Sequence, residues 1–279
     1  FDAIRTTLDY APYTIDMIYA KTEENATNLR DDRSLAGVNV AYDWASYNGL
    51  TEGYFFYEQG TDDEQASEED EDNIWVIGAR AQMDPNDKWT LGAEGAFQGG
   101  KDASGSTNRE AWAGIANAEY RFLNDYNAKL GLKFAYLSGN DDSADSDTNA
   151  WDPMFEDQTP AEIINILFAN TNMMYTNLSG SMMPREDITL GLNWTWAKLA
   201  ENIESLTVPT ASSQIVGNSY SIDRDETTIG NEIDAYACYD YTEDVQIKLT
   251  GGWFIPGDFF ASANDDMAYS LRAGINVDF

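Results

Sequence analysis

The sequence predicts an all-β fold and, within that class, a transmembrane antiparallel up-and-down β-barrel. Segments of about ten residues in which every second residue is apolar recur along all 279 residues, and strands of roughly 9–11 residues cross a bilayer when they are tilted. The connections between these segments are alternately short turns and long polar loops. No apolar run reaches the roughly 18 residues of a membrane-spanning helix. A soluble β-sandwich, the alternative, has no reason to alternate its loop lengths in this way.

The alternating segments define the expected strands. They lie at 1–10, 13–21, 34–44, 50–59, 73–83, 88–98, 110–122, 126–138, 172–183, 187–198, 228–241, 244–256 and 267–279. Since bacterial single-chain barrels have an even number of strands, we expect these strands to be part of a barrel of about 14–18 strands. The first strands would then precede Phe1, and residues 1–279 would form one outer-membrane β-barrel domain.

The connections predict an orientation in the membrane. Short turns rich in Asn, Asp, Pro and Gly suit tight hairpins, and they occur at 47–49, 84–88, 123–127, 184–187 and 242–244. The long loops are 22–33, 60–72, 99–109, 139–171, 199–227 and 257–266. Outer-membrane barrels have short periplasmic turns and longer extracellular loops, so we expect the long loops outside the cell. The last strand then ends at the periplasmic rim on Phe279, which we expect to be a signal for the barrel-assembly machinery.

The alternation also assigns two faces to each strand. In strand 126–138, Leu130, Leu132 and Phe134 share one face, and Lys129 and Lys133 share the other. A Lys or Arg on the lipid face near mid-membrane costs roughly 2–4 kcal/mol, so the polar face is expected to line a wet lumen. The lumen-lining candidates are Arg5, Arg80, Glu119, Arg121, Lys129, Lys133, Glu232, Asp234, Lys248 and Arg272, with Asp16, Asp43, Glu52 and Glu94 as further acids.

These lumenal charges have two interpretations that the sequence leaves open. They pair across neighbouring strands, or unpaired bases form a selectivity track for anionic solutes. Strand register decides between the two. Aromatic residues near the strand ends predict girdles at the membrane interfaces; they are Trp89, Tyr126, Tyr136, Trp194, Trp196 and Tyr269.

The long loop 139–171 contains a predicted short helix, TPAEIINILFAN, at 159–170. Thr159 is expected to cap it, Pro160 suits its first position, and Glu162 lies three residues after the cap. Its apolar residues, which are too many for a free loop, include Ile163, Ile164, Leu167 and Phe168. We expect this segment to fold into the barrel mouth as a constriction or lid; packing on the rim or against a partner is the alternative.

The surplus negative charge lies in the loops. The chain has 49 acidic and 16 basic residues and a formal net charge of −33, which argues against nucleic-acid binding. Loops 61–72 and 140–152 are strongly acidic, and oxygen-rich loops can bind Ca²⁺. The weak calcium candidates are Asp141, Asp142, Asp145 and Asp147. The EF-hand spacing is absent, and no other cofactor is expected.

The composition also limits the chemistry. The chain has no histidine and one cysteine, Cys238. A Ser-His-Asp triad and a histidine-ligated zinc site are therefore excluded, and a histidine base is missing for an outer-membrane hydrolase. We expect no enzymatic activity.

The C-terminal third carries motifs of a known family. The strand motif Gly230–Asn231–Glu232–Ile233–Asp234, the later Pro256–Gly257–Asp258 loop and the WDPMF segment (151–155) resemble the alginate-export family of outer-membrane β-barrels. The resemblance implies a monomeric barrel of about 16–18 strands, within the range of bacterial barrels, and passage of a solute or polymer.

Three functions follow as hypotheses. The first is a porin or channel for small hydrophilic or anionic solutes. The second is a dedicated exporter of an anionic, alginate-like polysaccharide, which needs a continuous basic path. The third is a structural barrel that sheathes or binds a partner protein. The expected partners are outer-membrane lipid and lipopolysaccharide, to which calcium could bridge the acidic loops, the assembly machinery, and the transported solute.

Overall fold

A computed structural model of the chain describes residues 2–23, 33–60, 72–101, 108–140, 147–154, 161–202, 223 and 225–278. Its strands are β1 (Asp2–Tyr10), β2 (Tyr13–Glu23), β3 (Arg33–Asp43), β4 (Leu50–Gly60), β5 (Asp72–Asn86), β6 (Trp89–Lys101), β7 (Asn108–Arg121), β8 (Lys129–Leu137), β9 (Asp147–Thr148), β10 (Met173–Arg185), β11 (Ile188–Leu199), β12 (Thr228–Thr242), β13 (Val245–Pro256) and β14 (Ala268–Val277). One helix, α1, spans Ile164–Leu167. No helix in this part of the chain is long and apolar enough to span a membrane.

The strands form a single sheet in chain order, except that β9 stands aside and β8 pairs directly with β10. Each long strand is antiparallel to the long strands beside it. All thirteen predicted strands are confirmed, with ends that differ by a few residues. The two-residue β9, which runs parallel to the start of β7, was not predicted. The all-β antiparallel fold class is thus confirmed.

The predicted short turns are confirmed, and their polar residues explain them. In the β5–β6 turn, the Asn86 side-chain oxygen accepts the backbone N–H groups of Lys88 and Trp89, at 2.9 and 3.2 Å. In the β3–β4 turn, Tyr47 and Asn48 adopt positive φ values of 65° and 43°, a conformation that Asn tolerates. The turns at one end of the sheet are short, so we call this the short-turn end and the opposite end the long-loop end.

The two faces of the sheet differ as the alternation predicts. The outer face carries large apolar side chains such as Leu132, Trp194 and Leu271, which are 52%, 40% and 75% exposed in the isolated chain. The inner face carries polar and charged residues, among them Lys133 and Glu232. Apolar side chains on one face and hydrophilic ones on the other suit a sheet between lipid and water.

The core of the molecule lies on the inner face, at the long-loop end. Residues 161–168, which we call the inserted segment, pack there against inner-face residues of β8 and β10–β13 and against the loop after β13. The buried cluster comprises Ala135, Leu137, Ala161, Ile163, Ile164, Phe168, Met173, Tyr175, Ala197, Leu199, Ile229, Phe254, Phe259 and Phe260. The chain between β9 and β10 therefore folds inward over the sheet instead of extending away from it.

The helix differs from its prediction. It has four residues, and its N-cap residue is Ile163, whose side chain forms no capping hydrogen bond. The prediction that Thr159 caps the helix is therefore wrong. Thr159 and Pro160 lie outside the described residues. The helix ends because Phe168 is extended, at φ −128° and ψ 138°. This conformation directs the chain back to the sheet after a single turn.

Candidate functional site

Strand register arranges the inner face into rows that cross the sheet. Lys133 of β8 stands between Asn117 of β7 and Asn177 of β10. The same row continues to Thr195 of β11 and Glu232 of β12. The Asn177 amide donates to the Thr195 hydroxyl at 2.9 Å. A lysine, amides, a hydroxyl and a carboxylate thus form one polar row across five strands.

Over β1–β6, the charges of the inner face pair with each other. Arg5 lies 2.9 Å from Asp16, and Arg80 pairs with Glu52. The Tyr54 hydroxyl donates to the Glu94 carboxylate at 2.6 Å. These residues surround an open cavity of about 480 Å³. For Arg5 and Arg80, cross-strand pairing is therefore the correct interpretation.

Over β7–β11, the basic residues outnumber their acidic partners. The Glu119 carboxylate forms ion pairs with both Arg121, at 3.1 Å, and Lys129, at 3.7 Å. Lys133 has no carboxylate partner among the described residues. Lys129, Lys133 and Glu119 line a cavity of about 490 Å³ together with amide and hydroxyl side chains, which we call the lysine cavity. Lys248 lies 5.6 Å from the centre of the Tyr236 ring, within the range of a cation–π contact.

The carboxylate of Glu232 holds the inserted segment. It accepts the backbone N–H of Ile163 at 2.6 Å and that of Ile164 at 2.7 Å, and its side chain is fully buried. The first N–H groups of a helix lack intrahelical partners, and hydrogen bonds to a charged acceptor are stronger than neutral ones. Glu232, which is 69 positions away from Ile163 in the chain, thus supplies the cap that the sequence predicts for Thr159.

Asp234 is a second buried acid, two residues along β12. Its side chain is 2% exposed, and neither carboxylate oxygen has a hydrogen-bond partner within the described part of the chain. It fits because Gly252 faces it from β13: a Cβ at Gly252 would lie 2.7 Å from an Asp234 oxygen. The two β12 acids predicted to line the lumen therefore lie beneath the inserted segment.

Two further contacts hold the inserted segment to the sheet. Glu162 forms an ion pair with Arg272 of β14. The Phe168 ring lies 6.0 Å from the rings of Phe259 and Phe260, a separation typical of aromatic packing. The inserted segment thus has both polar and apolar attachments on the C-terminal strands.

Two glycines of the family motifs lie where the backbone leaves no room for a side chain. Gly230 has a φ of 139°, and a Cβ there would lie 2.3 Å from the Ile255 carbonyl oxygen. At Gly257, a Cβ would lie 2.3 Å from the Thr228 carbonyl oxygen. This close backbone approach turns the chain after β13 inward, where Phe259 and Phe260 are buried.

The structure places most of the predicted site residues. Ile163, Ile164 and Phe168 are buried on the inner face, and Leu167 packs against the same cluster. Phe254, Phe259 and Phe260 are core residues that the strand alternation does not predict. Two adjacent phenylalanines in a loop classed as polar were the signal that could have revealed them.

The calcium candidates stay a prediction. Asp147 accepts a hydrogen bond from the Asn108 amide at 3.1 Å, while Asp141, Asp142 and Asp145 lie outside the described residues, as does Phe279. In the described ranges, no group of three or more acidic or cysteine side chains is arranged to hold a metal ion.

Comparisons with known proteins identify the family. A search of curated proteins finds no match. Among solved structures, the NanC porin is similar with a TM-score of 0.41 and 10% identity, over 88% of this chain and 94% of that one; at this level the likeness supports no argument. The family model described as alginate export matches residues 1–273. Because that match spans nearly the whole chain, the predicted resemblance is confirmed, and the protein belongs to the alginate export family of outer-membrane β-barrel channels.

Proposed function

We propose that the protein is an outer-membrane channel through which small hydrophilic or anionic solutes pass along the inner face. The observation that carries the proposal is the lysine cavity of about 490 Å³. Arg121 and Lys129 share one carboxylate, Glu119, and Lys133 lines the same cavity as Lys129 and Glu119. The local charge is therefore positive, although the formal charge of the whole chain is −33. A basic wall in a water-filled path raises the local concentration of anions.

The orientation is part of the proposal. The long-loop end, with its acidic loops, faces the cell exterior, and the short turns face the periplasm, as in other outer-membrane barrels. Solutes arriving from outside first meet the inserted segment, which lies at the long-loop end. The segment is the constriction: it covers the inner face of β12 and leaves the path along β1–β6 wider.

Planar-bilayer recordings test the channel and its selectivity together. In a KCl gradient, the purified protein should conduct, and the reversal potential should indicate a preference for Cl⁻. Lys133→Glu, especially with Lys129→Glu, should shift the reversal potential towards K⁺. Lys88→Glu is the matched control because Lys88 lies in the exposed β5–β6 turn, away from the inner face. A folded protein that never conducts would refute the channel, and unchanged selectivity in the lysine variants would refute the role of the lysine cavity.

Export of an anionic polysaccharide is the second candidate, favoured by the family match. It requires a continuous path of available bases. A carboxylate partner is present for Arg5, Arg80, Arg121, Lys129 and Arg272. Of the predicted lumenal bases, this leaves Lys133 and Lys248 without a carboxylate partner in the described part of the chain, which is too few for a continuous path. We therefore place small solutes first. In transport assays with both, a preference for long anionic chains over their monomers would reverse this order.

A further inference from the structure

A smaller cavity lies between the sheet and the chain that links β9 to β10, and it shares Tyr54 and Glu94 with the open cavity beside β1–β6. Its volume is about 100 Å³. Tyr54, Glu94 and Tyr175 line it from the sheet, and Trp151 and Asn170 line it from the linking chain. Three aromatic rings and two polar groups in one concave site form the usual composition of a small-molecule site.

The wall that carries Trp151 is fixed in place. The next residue, Asp152, exchanges two hydrogen bonds with the fully buried side chain of Gln98 on β6, at 2.6 and 2.8 Å. The Trp151 backbone N–H donates to the Ser138 carbonyl at 2.9 Å. Since these contacts need no ligand, the cavity is formed before anything binds, which reduces the cost of binding.

The polar groups define what the ligand must offer. Glu94 already accepts the Tyr54 hydroxyl at 2.6 Å, and its carboxylate has further acceptor capacity towards a cavity whose lining contains no Lys or Arg. Asn170 is 4% exposed, and its side-chain nitrogen has no hydrogen-bond partner among the described residues. A buried donor without an acceptor is destabilising. The ligand must therefore accept from Asn170, and it gains a further hydrogen bond if it donates to Glu94.

Among anions, cations and neutral hydroxyl compounds, the hydroxyl compounds suit both groups. An anion is repelled by Glu94. A cation suits Glu94 and the aromatic rings but leaves Asn170 unpaired. A hydroxyl group both donates and accepts, and the C–H groups beside it can pack on the rings of Trp151 and Tyr175. The cavity, at about 100 Å³, is smaller than the roughly 150 Å³ cavity that binds benzene, so it admits one edge of a sugar ring and not the whole ring.

We propose that this cavity binds the diol edge of one neutral sugar residue. The site is separate from the lysine cavity, and its binding does not require that the chain conduct. A channel that failed to conduct would leave this proposal intact, and a cavity that bound no sugar would leave the channel intact.

Saturation-transfer NMR on the detergent-purified protein tests the proposal, with methyl glucoside, methyl glucuronide and choline as probes. We expect transfer to the glucoside, strongest at adjacent ring C–H groups. Trp151→Ala should abolish it, and Asn170→Leu should weaken binding about tenfold, the value of one hydrogen bond. Trp194→Ala, on the outer face, is the matched control, and far-UV circular dichroism confirms that each variant is folded.

Three outcomes would overturn the proposal. The first is saturation transfer to none of the probes, which would mean that the cavity holds only water. The second is a preference for choline or for the glucuronide, which would change the class of ligand. The third is glucoside binding that persists unchanged in folded Trp151→Ala and Asn170→Leu, which would move the site elsewhere.

Discussion

The inner faces of β1–β6 and of β8–β14 are built from similar residues but used differently. Over β1–β6, Arg5 and Arg80 pair with carboxylates on neighbouring strands beside an open cavity of about 480 Å³. Over β8–β14, the buried carboxylate of Glu232 binds backbone N–H groups of the inserted segment. An inward-facing acid can thus neutralise a base or hold a backbone segment, and strand alternation alone does not distinguish the two roles.

The largest expected effect is on the aromatic cluster at the long-loop end, which consists of Phe168, Phe254, Phe259 and Phe260. Phe259→Ala removes a ring that is 1% exposed and lies 5.3 Å from Phe260 and 6.0 Å from Phe168. Removing a buried Phe side chain costs about 3–5 kcal/mol, so the inserted segment should detach before the barrel unfolds. Limited proteolysis within 161–168 measures this detachment.

Phe55→Ala is the control for that experiment, since Phe55 is on the outer face of β4 and 42% exposed. It should leave the protease sensitivity of 161–168 unchanged. Equal sensitivity in both variants would mean that the cluster does not hold the segment.

The next largest effect is expected at Glu232, which binds the inserted segment, in contrast to Glu52, which pairs with Arg80. Glu232→Gln replaces a charged acceptor that takes two N–H groups. Hydrogen bonds to charged groups contribute about 1.5–3 kcal/mol each, so attachment of the segment should weaken by about 2 kcal/mol. Single-channel recordings should then show larger or more frequent openings.

Glu52→Gln is the matched change over β1–β6, where the same substitution removes the partner of Arg80. It should alter ion selectivity slightly and leave the opening frequency as it is. If Glu52→Gln increased the openings and Glu232→Gln did not, the assignment of the two regions would be reversed.

The smallest effect is expected at the ion pair that joins the inserted segment to β14. Arg272 is 59% exposed in its pair with Glu162, and exposed pairs contribute about 0.2–1 kcal/mol. Arg272→Ala should therefore lower only slightly the midpoint temperature at which the inserted segment detaches. Raising the salt concentration should remove the difference between this variant and the unchanged protein. A loss as large as that of Phe259→Ala would show that the ion pair, not the aromatic cluster, holds the segment.

The sequence predicted the strands and their faces because both follow from a local period of two residues. Leu132 and Lys133 point to opposite faces whatever their neighbours are. Register is not local, so the pairing of Arg5 with Asp16 could only be left as one of two interpretations. The short strand β9, with two residues, has no period to detect.

The candidate site was predicted only in part, for a related reason. The apolar composition of 161–168 correctly indicated inward packing, whereas its cap came from Glu232, far away in the chain. Glu162 suited a capping box but pairs with Arg272 instead. Local rules assign local partners, and they fail where a distant strand supplies the acceptor or the charge.

The most direct test compares the rate of thiol labelling at a buried position of the inserted segment with the rate at an open position of β2. In a Cys238→Ser background, Ile164→Cys and Ile18→Cys are treated with a small water-soluble thiol reagent. Ile164 belongs to the inserted segment and is fully buried against the inner face of the sheet, whereas Ile18 of β2 lines the open cavity. If opening of the segment costs about 3 kcal/mol, labelling at position 164 should be slower by about a hundredfold or more, and Glu232→Gln should reduce that difference. Equal labelling rates at the two positions would contradict the account.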